Sequence, residues 1–301
     1  MTPKAVFDVG SNSVKMLVAM SGGGTMGILA DEVRICGLGQ GLRVSGQLSE
    51  EAMERSLDAL EELVDIARKL GATDMRAVGT QALRHAKNGG DFLEQLRLRC
   101  DLDLAIISGE EEARLSFRAA GASLGPRDDL LATFDVGGGS TEFNFGRQGR
   151  VEDCFSLPLG CIPITEDFFG EDPPVREKVD AALKALHGEL SVLSGKKGIL
   201  VGIGGTATTL GSVQLGLDHF QGENLRGLSV PLGEVDRQIE LYRSLPLVDR
   251  RNLSGLHPER APLILAGACI VRAVMDRLGS RELLLSDLAL RHGLFLDLFA
   301  P

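Results

Sequence analysis

Two stretches of this chain end an apolar segment in an aspartate and follow it at once with a glycine–serine turn. The first reads Phe7-Asp8-Val9-Gly10-Ser11-Asn12-Ser13 and the second Phe134-Asp135-Val136-Gly137-Gly138-Gly139-Ser140, so Phe-Asp-Val-Gly occurs twice. Such a turn offers backbone N–H groups and hydroxyls to phosphate, while a carboxylate at the strand end orients a divalent cation or a water. The implied donors are the amides of Ser11, Asn12 and Ser13, those of Gly137, Gly138, Gly139, Ser140 and Thr141, and the hydroxyls of Ser13, Ser140 and Thr141. Asp8 and Asp135 would then face each other across a cleft, with one magnesium ion or its waters between them. Two carboxylates buried there without a cation would push one pKa up. Either aspartate taken singly could instead tie down its own turn as an Asx motif.

A third glycine element, Gly202-Ile203-Gly204-Gly205-Thr206, carries no acid at its strand end. Gly204, Gly205 and Thr206 suit backbone contact with a nucleotide or a phosphate chain, or simply a close helix–strand turn. The absence of G-x-x-x-x-G-K-[ST] excludes a P-loop, and no G-x-G-x-x-G heads the first unit, which speaks against a dinucleotide oxidoreductase.

A base for activating water is sought in Ser108-Gly109-Glu110-Glu111-Glu112-Ala113-Arg114. Ser108 and Glu111 have capping-box spacing, and Glu110 is expected in solvent. Glu112 shares a helical stripe with Leu115 and Ala119, where a carboxylate needs a reason to be. General base chemistry is one reason; a helix-start charge favoured by the macrodipole is the other. Arg84-His85-Ala86-Lys87-Asn88-Gly89-Gly90 forms a basic, glycine-rich loop, either a phosphate contact through Arg84 and Lys87 or a solvated turn.

Alternating strands and helices must position these groups. Residues 4–9 and 14–19 read as strands around the first turn, and Gly22 to Gly24 end the second of them. Ile28 to Leu38 reads as extended. Ser49 to Leu70 is the clearest helix, with Met53, Leu57, Leu60, Val64 and Ala67 on one stripe. Met75–Val78 and Leu102–Ile107 read as strands. The order then repeats: strands at 130–136, 142–145 and 151–157, a helix at 175–193, and a strand at 198–203. Helices follow at 232–244 and 261–278, then a strand at 283–286 and a helix from Asp287. This alternation is α/β. A boundary near residue 120 fits the polar turn Gly125-Pro126-Arg127-Asp128-Asp129, giving domains of 1–120 and 121–301, with the last helix able to pack back on the first.

The 301 residues are enough for two cores, and 44% hydrophobic with 25% charged residues is a globular composition. A net charge of −10 argues against generic nucleic-acid binding. One tyrosine and no tryptophan disfavour a base-stacking platform. Five scattered cysteines without C-x-x-C pairing read as free thiols. No apolar run approaches the ~20 residues of a membrane span, and the N-terminus enters a strand directly, so a cytoplasmic protein is expected.

Taken together, FDVGSNSVKMLVA at 7–19, AVGTQALRHAKNGGDF at 77–92, ISGEEEARLSF at 107–117, FDVGGGSTEF at 134–143, LPLGCIPITEDFF at 157–169, GIGGTATTL at 202–210, ERAPLILAGA at 259–268 and SDLALRHGLF at 286–295 resemble the Ppx/GppA family. That family comprises exopolyphosphatases and guanosine-pentaphosphate phosphohydrolases, within the actin–sugar kinase–heat-shock ATPase superfamily. The resemblance implies two ribonuclease-H-like (actin-like ATPase) domains and magnesium-dependent hydrolysis of terminal phosphate from polyphosphate or guanosine pentaphosphate. It places the catalytic glutamate at Glu112, the phosphate-binding turns at Asp8 to Ser13 and Asp135 to Glu142, and an arginine of the polyphosphate path at Arg84. Asp8, Asp135 and Glu142 are the implied magnesium ligands. Against the long enzymes of the family, which carry C-terminal helical domains, a chain stopping near residue 301 is expected to lack those domains and the processive grip they imply. A phosphotransferase of the same superfamily and a non-catalytic guanosine-tetraphosphate sensor are the rival readings, and a homodimer is left open.

Overall fold

The computed structural model describes residues 2–22, 25–125, 128–218 and 222–299. Gly23 and Gly24 of the expected strand end, and Pro126 and Arg127 of the expected polar turn, lie outside them. The chain forms two compact units, one running to Ala119 and resuming at Leu290, the other spanning Ala120–Ala289.

The first unit opens with β1 (Lys4–Val9), β2 (Ser13–Gly22) and β3 (Thr25–Ile35). It continues through α1 (Leu42–Ser45), α2 (Glu50–Lys69), β4 (Asp74–Gly79), α3 (Gln81–His85), α4 (Gly89–Cys100), β5 (Leu104–Ile106) and α5 (Gly109–Leu124). The sheet order is β3-β2-β1-β4-β5, antiparallel among the first three strands and parallel from β1 to β5. Alternation along β1 splits its side chains between two cores. Ala5, Phe7 and Val9 meet Leu57, Leu60 and Val64 of α2, whereas Val6 meets Leu115 of α5 and Leu290, Leu294 and Phe295. Ser49 caps α2 by accepting from the Ala52 amide at 3.2 Å.

The second unit contains β6 (Leu131–Val136), β7 (Thr141–Arg147), β8 (Arg150–Leu157), α6 (Cys161–Phe168) and α7 (Arg176–Glu189). A 3₁₀ turn at Leu190–Leu193 leads to β9 (Ile199–Ile203), α8 (Gly204–Leu215), α9 (Gly222–Leu225), β10 (Ser229–Pro231), α10 (Leu232–Ser244) and α11 (Leu247–Arg250). A second such turn at Pro258–Arg260 precedes α12 (Ile264–Leu278) and β11 (Glu282–Leu285). Read as β8-β7-β6-β9-β11, its sheet repeats the order and directions of the first, with β10 added antiparallel at the edge. Both units are thus ribonuclease-H-like α/β domains. α12 is buried throughout its first half, Ile264 to Val271, where its sequence is wholly apolar, and its charges fall in the second half, where Arg272 pairs with Asp276.

The last helix, α13 (Leu290–Phe299), belongs to the first unit. It starts three residues later than the sequence predicts because the Ser286 hydroxyl accepts from the Leu288 amide and donates to its carbonyl, holding a turn there. Gly293 lets α13 approach α5 closely, since a Cβ would overlap the Leu115 carbonyl. Arg114 and Arg118 both reach Asp297 Oδ1, at 3.1 and 3.0 Å. The expected strand at 102–107 shortens to β5, and α5 runs unbroken through residue 120. Among the described residues no helix is long and apolar enough to cross a membrane.

Candidate active site

In the first unit, the Gly10 amide donates to the Ser13 carbonyl at 3.0 Å and closes the β1–β2 hairpin over Ser11 and Asn12. The carbonyls of these two residues point away from the opening: Ser11 O accepts from Gly39 N (2.7 Å), and Asn12 O from Cys36 N (2.9 Å) and Gly37 N (3.0 Å). Gly39 permits this backing, because a Cβ there would stand 2.9 Å from Ser11 Cβ. Among the described residues the Ser11 and Asn12 amides have no protein acceptor, so they are the donors left for an anion. The Ser11 hydroxyl, in contrast, donates to Gln81 Oε1 at 3.0 Å.

Asp8 is 1% exposed and stands directly opposite Lys15 across the hairpin. Lys15 Nζ donates to Asp8 Oδ2 at 2.8 Å. The cation that a buried Asp8 requires is therefore supplied by the chain itself.

The second unit repeats the turn. Gly137 N donates to Ser140 O at 2.9 Å, closing the β6–β7 hairpin over Gly138 and Gly139. The start of α6 backs it: Cys161 N reaches Gly137 O (3.0 Å) and Ile162 N reaches Gly138 O (2.7 Å). Gly160 is required there, since a Cβ would lie 2.5 Å from the Gly138 carbonyl oxygen. The Gly138 and Gly139 amides likewise have no protein acceptor among the described residues. Asp135 faces Glu142 across the strands, and Glu142 in turn faces Ser156 of β8, whose hydroxyl donates to Glu142 Oε1 at 2.9 Å.

The expected Thr141 hydroxyl donor is engaged within the protein, and the Thr206 hydroxyl, at a position expected to offer backbone contact, is engaged as well. Thr141, fully buried, gives its proton to the Leu159 carbonyl at 2.5 Å. Thr206 gives its proton to the Val136 carbonyl at 2.8 Å. A phosphate oxygen accepts hydrogen bonds, so a hydroxyl whose proton is already committed ties the turns together instead of binding the ligand.

The third turn, between β9 and α8, is built around Gly204 at φ +75°, where a Cβ would overlap the Asp135 carboxylate. A Cβ on Gly205 would overlap the guanidinium of Arg260. Asp135, the N-terminus of α8 and Arg260 are thus packed into one polar cluster. Cys161 lies behind it, and burial pushes its thiol up to about 11, keeping it neutral and unreactive.

Glu112 lies in the first turn of α5. Ser108 starts that helix, accepting from Glu111 N at 3.1 Å, while the Glu111 carboxylate is taken by Arg114 at 2.8 Å. Glu110 is exposed and Glu112 is half-buried. Arg84 Nη1 donates to Glu112 Oε2 at 2.9 Å and to the Ile107 carbonyl at 2.8 Å. The first unit therefore brings Arg84 and Glu112 together. Lys87 is exposed beside Gly46, to whose carbonyl its amide donates at 3.0 Å.

Two charged residues escaped the sequence reading. Lys15 stands at the place in the first hairpin that Glu142 holds in the second, so aligning the two copies beyond their glycines exposes it. Arg260 lay within a quoted motif but carried no spacing signal of its own.

Among the described residues no group of three or more acidic, histidine or cysteine side chains could hold a metal unaided. The neighbouring carboxylates of Asp135 and Glu142 nevertheless fit magnesium, which is commonly bound by one or two carboxylates while keeping several waters or substrate phosphates.

A model of the Ppx/GppA phosphatase family matches residues 17–300. Exopolyphosphatase 1 of Mycobacterium tuberculosis is 29% identical over 298 residues, covering 97% of this chain and 86% of that protein. Exopolyphosphatase 2 of the same organism is 30% identical over 322 residues, covering 99% of each. The crystal structure of the Aquifex aeolicus Ppx/GppA family member superposes with a TM-score of 0.83 at 31% identity, covering 98% of this chain and 97% of that one. A Cytophaga hutchinsonii exopolyphosphatase agrees in fold, with a TM-score of 0.86 at 24% identity. The paired aspartate-led turns and the near-complete span of these matches lead to one conclusion: the chain belongs to the Ppx/GppA phosphatase family.

Proposed function

We propose that this chain hydrolyses the terminal phosphoanhydride bond of inorganic polyphosphate, with guanosine pentaphosphate as a second substrate presenting the same terminal group. The observation that carries the reading is a half-buried carboxylate, Glu112, held by an arginine in a unit whose first turn presents two unengaged amides. Two relatives named exopolyphosphatase, matched over nearly all of this chain, support polyphosphate as the substrate.

Glu112 accepts a proton from water as the water oxygen bonds to the terminal phosphorus. The bridging P–O bond breaks, and its electrons leave on the shortened chain. In the unit that carries Glu112, the amides of Ser11 and Asn12 stabilise charge on the phosphoryl oxygens, a role that needs no reorganisation in a preformed turn. Arg84 and Lys87 bind further phosphates. Magnesium, when bound, neutralises phosphate charge; Asp135 and Glu142 would hold it.

The test is phosphate release from short polyphosphate, long polyphosphate and guanosine pentaphosphate, with magnesium present and chelated. Magnesium-dependent release from polyphosphate without an added acceptor supports the reading. Release only when an acceptor is supplied favours a phosphotransferase. Tight binding of guanosine tetraphosphate without any turnover favours a sensor.

A further inference from the structure

The Arg84–Glu112 pair poses a chemical difficulty for a general base. One Glu112 oxygen accepts from a guanidinium that does not itself give up a proton, so that oxygen is engaged where a water proton would have to arrive. The same Arg84 nitrogen also reaches the Ile107 carbonyl, so Arg84 spans the entry to α5. Neither partner is sealed in the core: the side chains are 17% and 13% exposed.

The charges around the pair favour movement of the arginine toward a polyanion. The exposed Glu110 carboxyl is held below its ordinary value by its own backbone amide and the Ser108 hydroxyl, and Arg84 adds to this, so Arg84 lies in the field of two acids. Glu111 is occupied by Arg114, and His85 turns its ring back to the Gln81 carbonyl. Arg84 sits at the end of the five-residue α3, immediately before the exposed Lys87 loop. A phosphate presents more charge than a carboxylate and matches the guanidinium fork.

We propose that Arg84 exchanges partners during the reaction: it holds Glu112 in the empty enzyme and passes to a substrate phosphate on binding, which frees Glu112 to deprotonate the attacking water. The inference rests on the proposed role of Glu112 as the base. It makes Arg84 both a phosphate ligand and the restraint on the base until substrate arrives. In the alternative arrangement, Arg84 stays on one Glu112 oxygen throughout while the other oxygen does the chemistry.

The two arrangements differ in binding energetics. If the pair must part, its attraction opposes binding, and removing the Glu112 charge relieves that opposition only while Arg84 is present. The experiment is a double-mutant cycle on binding of a methylene-bridged, non-hydrolysable triphosphate, measured calorimetrically with Glu112→Gln, Arg84→Met and the double variant. Exchange predicts that Glu112→Gln tightens binding about three- to tenfold while Arg84 is in place, and less than about twofold once Arg84→Met has removed that cation. Arg84→Lys stands in if Arg84→Met fails to fold, with a coupling smaller than wild type. Equal effects in both backgrounds, or weaker binding by Glu112→Gln, would overturn the exchange. A wild-type protein that neither binds the triphosphate nor releases phosphate from polyphosphate overturns the proposed function along with it.

Discussion

Asp8 and Lys15 face each other across the first hairpin as an ion pair of 2.8 Å, whereas Asp135 faces Glu142 at the corresponding place in the second. The duplication has kept the turn and reversed one charge. The first hairpin sets a lysine against its acid; the second sets two acids opposite each other with Arg260 packed into the same cluster, an arrangement that also accommodates a divalent cation.

Lys15→Met should destabilise the protein by about 2–4 kcal/mol, because it strands a buried carboxylate. A lower urea midpoint would register this. Asp8→Asn combined with Lys15→Met should recover much of the loss, since both charges are then gone. An unchanged midpoint in the single variant would contradict the pairing.

Asp31 on β3 anchors α13, receiving Arg291 Nε at 2.5 Å and Nη2 at 2.7 Å, with His292 Nε2 at 3.2 Å. Burial raises its pKa, but Arg291 and His292 outweigh that and hold the carboxyl well below the usual range. A depressed carboxyl pKa contributes stability that is whole above the unfolded-state pKa of about 3.9 and fades as pH falls below it. Asp31→Asn should therefore show its full deficit in urea midpoint near neutrality, and a narrowing gap to wild type on acidification below about pH 4. A gap that is constant with pH would contradict this.

Gly204 and Gly205 should respond differently to alanine. At Gly204 the positive φ and the Asp135 carboxylate both oppose a Cβ, so Gly204→Ala should lower stability and abolish phosphate release. At Gly205 only the far end of the long Arg260 side chain stands in the way. Gly205→Ala should keep stability within about 1 kcal/mol while raising KM for polyphosphate. Melting curves read beside initial rates separate the two cases.

What could be read in advance was local. The α2 stripe and its Ser49 cap lie within a few residues of one another, and the twin Phe-Asp-Val-Gly turns announce themselves by repetition. Partners fixed by sheet register or tertiary packing were hidden. Lys15 needs the strand pairing to meet Asp8, and Arg84 lies 28 residues from Glu112. The hydroxyls of Thr141 and Thr206 have the right chemistry for phosphate, but the carbonyls of Leu159 and Val136 reach them first. Nor does a composition shift mark where the units divide, because the division falls inside the continuous helix α5.

The most direct measurement is the rate of phosphate release from polyphosphate by Glu112→Gln beside wild type, in magnesium, with matched circular dichroism and melting temperature. A folded variant slowed by about 10²- to 10⁴-fold is the predicted result. A folded variant that turns over at the wild-type rate would remove Glu112 from the chemistry and contradict the account.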